Sequence, residues 1–253
     1  MKHPVIYTDD LATKARAMIR DFNLRILPVV NGDKKVVGVI SRGIAMTISS
    51  SISPIRAKGI MSHPSHLAGL EDDVFLTVKE MLRLDQWKVP VVSSIRDKTY
   101  KGVFGLGDLI EALIKISPEK FSRDVSEIMS ADVVSCSADD EVDNVWRLMQ
   151  NQSFAGLPVV KKERLLGIVT QKDLLKSGAL FPTFESGKGR FRASSKISSI
   201  MKTGVVNVKP TIKVIRVAKV MVSKNIGRVP VTDEDGKLIG IVDREDIARL
   251  IVR

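Results

Sequence analysis

Leu157-Pro158-Val159-Val160, a charged break, and then Leu165-Leu166-Gly167-Ile168-Val169-Thr170-Gln171-Lys172-Asp173 carry the reading of this sequence. Two short apolar runs rich in β-branched residues flank a polar turn, which predicts a β-hairpin. The second run leads into Lys172-Asp173-Leu174-Leu175, read as a short helix. Proline has no N–H to give a ladder, so Pro158 is expected at a strand start or edge.

The same order appears three more times. Ile26-Leu27-Pro28-Val29-Val30 precedes Asn31-Gly32-Asp33 and Val36-Val37-Gly38-Val39-Ile40. Val89-Pro90-Val91-Val92 precedes Gly102-Val103-Phe104. Val229-Pro230-Val231 precedes Asp233-Glu234-Asp235-Gly236 and Leu238-Ile239-Gly240-Ile241-Val242. Successive prolines lie 62, 68 and 72 residues apart, and a glycine follows each by 10, 12, 9 and 10 residues. Such regularity marks a repeat protein.

An amphipathic helix is predicted ahead of each hairpin, from apolar residues at helical spacing. These are Leu11, Ala15, Met18, Ile19 and Phe22; Val74, Val78, Met81 and Leu82; Val142, Val145, Trp146 and Met149; and Val214, Val217, Ala218, Met221 and Val222. Their stripes are core-facing. Further upstream, Ile60-Met61-Ser62 opens the second copy, Ile128-Met129-Ser130 leads to Val133-Val134, and Ile200-Met201-Lys202 leads to Val205-Val206. The first copy keeps only Val5-Ile6-Tyr7. Each unit is expected to run strand, helix, strand, strand, helix, giving an α/β (α+β) fold.

The Ile-Met-Ser segments, the apolar-Pro-apolar strands and Gly167-Ile168-Val169-Thr170 with Asp173, in four copies in register, resemble the cystathionine β-synthase (CBS) domain family over nearly the whole chain. The plan is similar to that of the γ subunit of AMP-activated protein kinase. The resemblance implies two pseudo-symmetric tandem pairs. The first spans 1–118, with repeats at about 1–50 and 56–118. The second spans 119–253, with repeats at about 123–180 and 196–253. A Ser-rich connector at Ser49–Ser53 and a basic Gly/Ser linker at about 181–195 interrupt the pattern. The resemblance also implies an adenine nucleotide (AMP, ADP or ATP) as regulatory ligand, and no catalytic cofactor.

Thr170-Gln171-Lys172-Asp173 follows a strand and opens a helix, so it reads either as a capping box or as a ligand site at the helix start, where free N–H groups favour phosphate. The resemblance makes it the family's ribose-phosphate motif, with Thr170 on phosphate or ribose and Asp173 on the ribose hydroxyls. Adenine would then lie between the segment holding Ser130, Val133 and Val134 and the strand Gly156-Leu157-Pro158, Gly156 admitting the ligand closely. In the fourth repeat Asp246 keeps the ribose position, but Asp243 replaces the hydroxyl. Arg228 either offsets its charge toward phosphate or is a surface charge beside a capping Asp243. The second repeat keeps Asp108 without the hydroxyl, and Lys88 is a candidate phosphate contact. The first has Ser41 but no aspartate.

The net charge is +11, with 18 Lys and Arg against 13 Asp and Glu in residues 1–120 and 22 against 16 in 121–253. A basic surface of this kind leaves a nucleic-acid partner open, with Lys188, Arg190 and Arg192 as candidates, and a ligand-free structural adaptor is the other rival. The partners expected are the nucleotide and either a second copy, as a homodimer, or a separate effector. One cysteine, Cys136, excludes an intrachain disulfide and a cysteine metal cluster. The histidines His3, His63 and His66 form no catalytic pattern, and neither a Walker A loop nor G-x-G-x-x-G after a strand is present. No leader and no apolar run of membrane-spanning length is found, so the expectation is a cytoplasmic regulatory protein rather than an enzyme.

Overall fold

The computed structural model describes residues 3–48, 54–177 and 195–252. The Ser49–Ser53 connector and Lys188, Arg190 and Arg192 lie outside them. The first repeat is β1 (Ile6–Tyr7), α1 (Ala12–Asp21), β2 (Ile26–Val30), β3 (Val36–Ser41) and α2 (Arg42–Met46). The second is β4 (Ala68–Gly69), α3 (Val74–Arg83), β5 (Lys88–Val92), β6 (Tyr100–Gly105) and α4 (Leu106–Ile116). The third is β7 (Cys136–Ser137), α5 (Val142–Asn151), β8 (Gly156–Lys161), β9 (Arg164–Thr170) and α6 (Gln171–Ser177). The fourth holds β10 (Lys202–Thr203), α7 (Val214–Ser223), β11 (Arg228–Thr232), β12 (Leu238–Asp243) and α8 (Arg244–Val252). The architecture is mixed α/β, with β-α-β-β-α units forming tandem pairs.

In the first three repeats the opening strand runs parallel to the middle strand, which pairs antiparallel with the last. In the fourth, Val208 alone bridges Val231 in the parallel place. The opening strand therefore falls later than the sequence reading had it, at Cys136–Ser137 instead of Val133-Val134 and at Val208 instead of Val205-Val206. In the third repeat the turn into α5, closed by Ser137 N–H donating to Asp140 Oδ2 at 2.8 Å, sets this register. Turn geometry outweighs β-propensity there. The prolines also depart from expectation, standing third in the middle strands rather than at an edge. Pro28 sits opposite Val39, while β1 begins to pair only at Val29, so the missing N–H leaves no ladder bond unmade.

Each long leading helix ends in the same way. Asn23, Asp85, Ser153 and Asn225 take positive φ, and the next residue bonds back into the helix, Leu24 N–H to the Ile19 carbonyl at 2.9 Å and Phe154 N–H to Met149 at 2.8 Å. This left-handed stop satisfies carbonyls that the helix end would orphan.

The Ile-Met segments are arms that leave their own repeat. Ser62, which opens the second repeat, exchanges two backbone hydrogen bonds with Val39 of β3, at 2.9 and 3.0 Å. Ser130, which opens the third, does the same with Ile241 of β12, at 2.9 and 3.0 Å. Lys202 of β10, which opens the fourth, pairs with Ile168 of β9. The glycines ten or so residues past each proline make this possible. A Cβ on Gly38 would lie 2.5 Å from Met61 Sδ, one on Gly240 2.5 Å from Met129 Sδ, and one on Gly167 would run into the Lys202 carbonyl.

Two compact units result. One comprises Met1–Pro64, Val134–Lys161 and Leu166–Gly204; the other comprises Ser65–Val133, Lys162–Leu165 and Val205–Arg253. The first shares one apolar core between the first and third repeats, with Ile19, Leu27 and Ile40 clustered with Met149, Leu157 and Leu174, and Ala57 and Ile197 from two arms. The second does so for the second and fourth repeats, with Met81, Leu106 and Ile110 alongside Val217, Met221 and Ile247, and Val125 from the third arm. Non-directional apolar burial of this kind is the dominant stabilising term.

Candidate functional site

The last strand of every repeat turns directly into its final helix, and the candidate residues stand at that corner. In the third repeat Asp173 is buried and accepts from Thr170 N–H at 3.1 Å and from the Thr170 hydroxyl, while Asp173 N–H points back to Thr170 Oγ1 at 3.3 Å. This is the capping box of the sequence reading. Lys202, brought in by the arm, places Nζ 3.0 Å from Asp173 Oδ1. Arg42 of α2 adds a second cation: burial pulls its guanidinium down to about 10, and the Asp173 charge offsets part of that. Its Nε donates to the Leu24 carbonyl at 3.0 Å and its Nη2 to Asn23 O at 3.1 Å, which fixes the side chain. Gly156 spends its missing side chain on this corner, since a Cβ would lie 2.9 Å from both Thr170 Cγ2 and Val169 O. Leu157 and Pro158 continue the same strand and are buried.

The fourth repeat keeps the geometry and reverses the charge. Asp246 accepts from Asp243 N–H at 2.8 Å, and Asp243 Oδ1 accepts from Glu245 N–H at 2.8 Å and Asp246 N–H at 3.2 Å. Asp243 therefore caps α8. Burial, with the Asp243 and Glu245 carboxylates beside it, pushes Asp246 up to about 7. Glu245 is raised too, chiefly by burial. Arg228 stands opposite Asp243 in the hairpin, with its guanidinium carbon 5.8 Å from the centre of the Trp87 ring. Burial lowers its pKa, and Asp243, Asp246 and Glu245 act against that. It is thus a half-buried partner of the acidic corner rather than a surface charge.

In the second repeat Asp108 accepts from Gly105 N–H at 2.7 Å, and Lys88 faces Gly105 across the hairpin. Arg244 of α8 reaches this corner, because a Cβ on Gly107 would lie 2.5 Å from its Nη1, and Asp108 supports its half-buried charge. In the first repeat Ser41 caps α2 by accepting from Ile44 N–H at 3.2 Å. Of the residues expected to face adenine, Val134 belongs to the unit with Thr170 and Asp173 and is exposed. Ser130 and Val133 belong to the other unit, where Ser130 is paired to β12. Arg42, Arg244 and Lys202 escaped the sequence reading. The available signal was an arginine directly after the motif's first position, at Ser41-Arg42 and Asp243-Arg244.

Chemically, the Asp173 corner offers a carboxylate for a pair of vicinal hydroxyls and two cations for an anion. Among the described residues no group of three or more His, Cys, Asp or Glu is placed to hold a metal ion, and no helix is long and apolar enough to cross a membrane. Burial pushes the Cys136 thiol up to about 12, with Asp140 adding to it, which leaves little nucleophilic thiolate at neutral pH.

Alternating β-α-β-β-α units, exchanged arms and a capping box at the last strand–helix corner define the class of fold. A CBS domain family model matches residues 1–48, 125–179 and 197–253, and the chain belongs to the CBS domain family. The second repeat lies outside the matched residues and joins the set through its element order and register. The sequence is 28% identical over 268 residues to the uncharacterized protein MJ1225 of Methanocaldococcus jannaschii, across 96% of this chain and 93% of that one. The crystal structure of MJ1225, proposed as an archaeal homolog of g-AMPK, matches with a TM-score of 0.86 at 24% identity, covering 99% of this chain and 96% of that one. Homoserine O-acetyltransferase of Methanohalobium evestigatum is 34% identical over 50% of this chain, but the match takes in 24% of the enzyme.

Proposed function

We propose that the chain is a non-catalytic regulatory protein of the cytoplasm that binds an adenosine-type ligand (AMP, ADP or ATP) and passes the signal to a separate effector. Its tandem pairs span about 1–118 and 119–253, and each proposed binding corner draws residues from both, Arg42 with Asp173 and Asp108 with Arg244. The observation carrying this reading is the Asp173 corner, where a buried carboxylate held by Thr170 stands beside Arg42 and Lys202. Asp173 takes the ribose hydroxyls and the cations take phosphate. Asp108 beside Arg244, with Lys88 nearby, is the corresponding corner of the other unit. Membership of the CBS family supports the reading, as does the proposed kinship of MJ1225 with g-AMPK. A ligand changes the output only through different affinities for two arrangements of the protein.

Calorimetric titration with AMP, ADP and ATP on the wild type and on Asp173→Ala tests it. The expected result is saturable binding by the wild type that is lost or weakened roughly tenfold or more in the variant, the scale of a charge-assisted hydrogen bond. Binding unchanged by the substitution moves the ligand to Asp108 or Asp246. No binding of any of the three, with an unchanged melting temperature, removes the sensor reading.

A further inference from the structure

Three of the four repeats carry an arm laid along the same track. In each, the residue two before the leading helix accepts from the arm and the first helical N–H donates to it. Asp10 O receives from Ala57 N–H at 2.8 Å and Ala12 N–H reaches Ile55 O at 2.8 Å. Asp140 O receives from Ile197 at 2.9 Å and Val142 N–H reaches Ser195 O at 2.9 Å. Ile212 O receives from Val125 at 2.9 Å and Val214 N–H reaches Arg123 O at 2.9 Å. At its far end each arm pairs with the last strand and passes over the repeat's glycine, Met61 on Gly38, Met129 on Gly240 and the Lys202 backbone on Gly167.

The second repeat has the same track with nothing on it among the described residues. Asp72 O, Leu70 O, Val74 N–H and both backbone groups of Val103 make no hydrogen bond there. Nothing lies within 4 Å of where a Cβ on Gly102 would sit. Val74 is 46% exposed, whereas its counterparts Ala12, Val142 and Val214 are buried. Phe104 is partly exposed, whereas Ile40, Val169 and Val242 are buried. An apolar track beside a free strand edge invites strand addition. The sequence has three Ile-Met pairs, at 60–61, 128–129 and 200–201, and all three are already seated.

We propose that this track on the second repeat docks an extended segment of a second, different polypeptide. The three seated arms share apolar–x–x–Ile–Met–polar, preceded by Arg56, Asp124 or Lys196, and the segment for this track is basic–apolar–x–x–Ile–Met–polar. The apolar position is Ala57, Val125 or Ile197 in the seated arms, each buried. The basic position follows from charge complementarity. Where an arm crosses the residue before the helix, Lys196 meets Glu141 and Asp124 meets Lys213, the latter ion-paired at 2.9 Å. The second repeat presents Asp73 at that point. The methionine packs on Gly102 as Met61 packs on Gly38.

The probe is a labelled peptide copying residues 55–62, Ile-Arg-Ala-Lys-Gly-Ile-Met-Ser, the arm whose methionine packs on its glycine, titrated into the full chain and followed by fluorescence anisotropy. Saturable binding is expected, weakened roughly tenfold or more by Gly102→Ala, since the added methyl intrudes on the methionine seat. A peptide with Ala in place of its methionine should lose binding to the same degree. Gly102→Ala itself meets empty space, so the melting temperature should stay unchanged. Absence of peptide binding, or binding indifferent to Gly102→Ala, overturns the proposal. Concentration-dependent dimerisation of the wild type that Gly102→Ala abolishes assigns the edge to a second copy and overturns it equally.

Discussion

The corners of the third and fourth repeats share one backbone geometry and differ in nearly every charge around it. Asp173 and Asp246 each accept the N–H of the residue three before, at 3.1 and 2.8 Å, and each opens a helix. Around Asp173 stand Thr170, Lys202 and Arg42; around Asp246 stand Asp243 and Glu245, with Arg228 across the hairpin. The motif thus fixes where the carboxylate sits, and the neighbours decide what it can hold. The third corner suits an anionic ligand as it stands. The fourth suits one only when a proton or a cation reduces its negative charge.

The largest effect that separates the two corners is pH dependence at Asp246. Its folded pKa, about 7, lies above the ordinary 3.8, so the folded state holds this proton more tightly than the unfolded chain does. The stabilisation is fully present below about pH 4 and is lost as pH rises through 7. Denaturant unfolding of the wild type and of Asp246→Asn, compared between pH 5 and 8, should show the variant gaining relative stability as pH rises, by on the order of 2–3 kcal/mol. Asparagine can still accept from Asp243 N–H, so the cap survives. Parallel pH profiles for the two proteins would mean that Arg228 already neutralises the corner.

A smaller effect comes from converting one corner toward the other. Asp243→Thr keeps a side chain that can cap α8 and removes the carboxylate nearest Asp246. The Asp246 titration, read by carboxyl-carbon NMR, should move down from about 7. Stability at pH 8 should rise by about 1 kcal/mol. An unmoved titration would assign the raised pKa to burial and Glu245.

Much of this was legible in the chain because it rests on local pattern. The apolar-Pro-apolar strands and the helical stripes gave the unit, and Thr170 with Asp173 gave the corner. The remainder depends on residues far apart in sequence. The glycine after each proline reads as part of a strand, yet Gly38, Gly167 and Gly240 are bare because an arm from another repeat passes over them. Arg42 matters to Asp173 through a fold that joins the first and third repeats in one core, a grouping no local periodicity announces. The opening strands of the third and fourth repeats lie two or three residues beyond the valine pairs, and in the third a side-chain turn from Asp140 fixes the register.

The smallest effect concerns which cation the third corner relies on. Lys202 is 57% exposed and Asp173 7%, so their 3.0 Å pair has one wet partner. A pair of this kind is screened and contributes modestly. Arg42, by contrast, is half-buried and held by the Leu24 and Asn23 carbonyls, so its charge stays near Asp173 whatever Lys202 does. Lys202→Ala should therefore cost no more than about 1 kcal/mol at low salt, and the difference from wild type should shrink further at about 0.5 M NaCl. The β10 backbone pairing to β9 does not need the side chain and should persist. A loss of about 3 kcal/mol or more, insensitive to salt, would be the signature of a buried charge left without its partner. Lys202 would then be the partner on which the buried Asp173 carboxylate depends, and the arm would carry part of the third corner as well as filling its track.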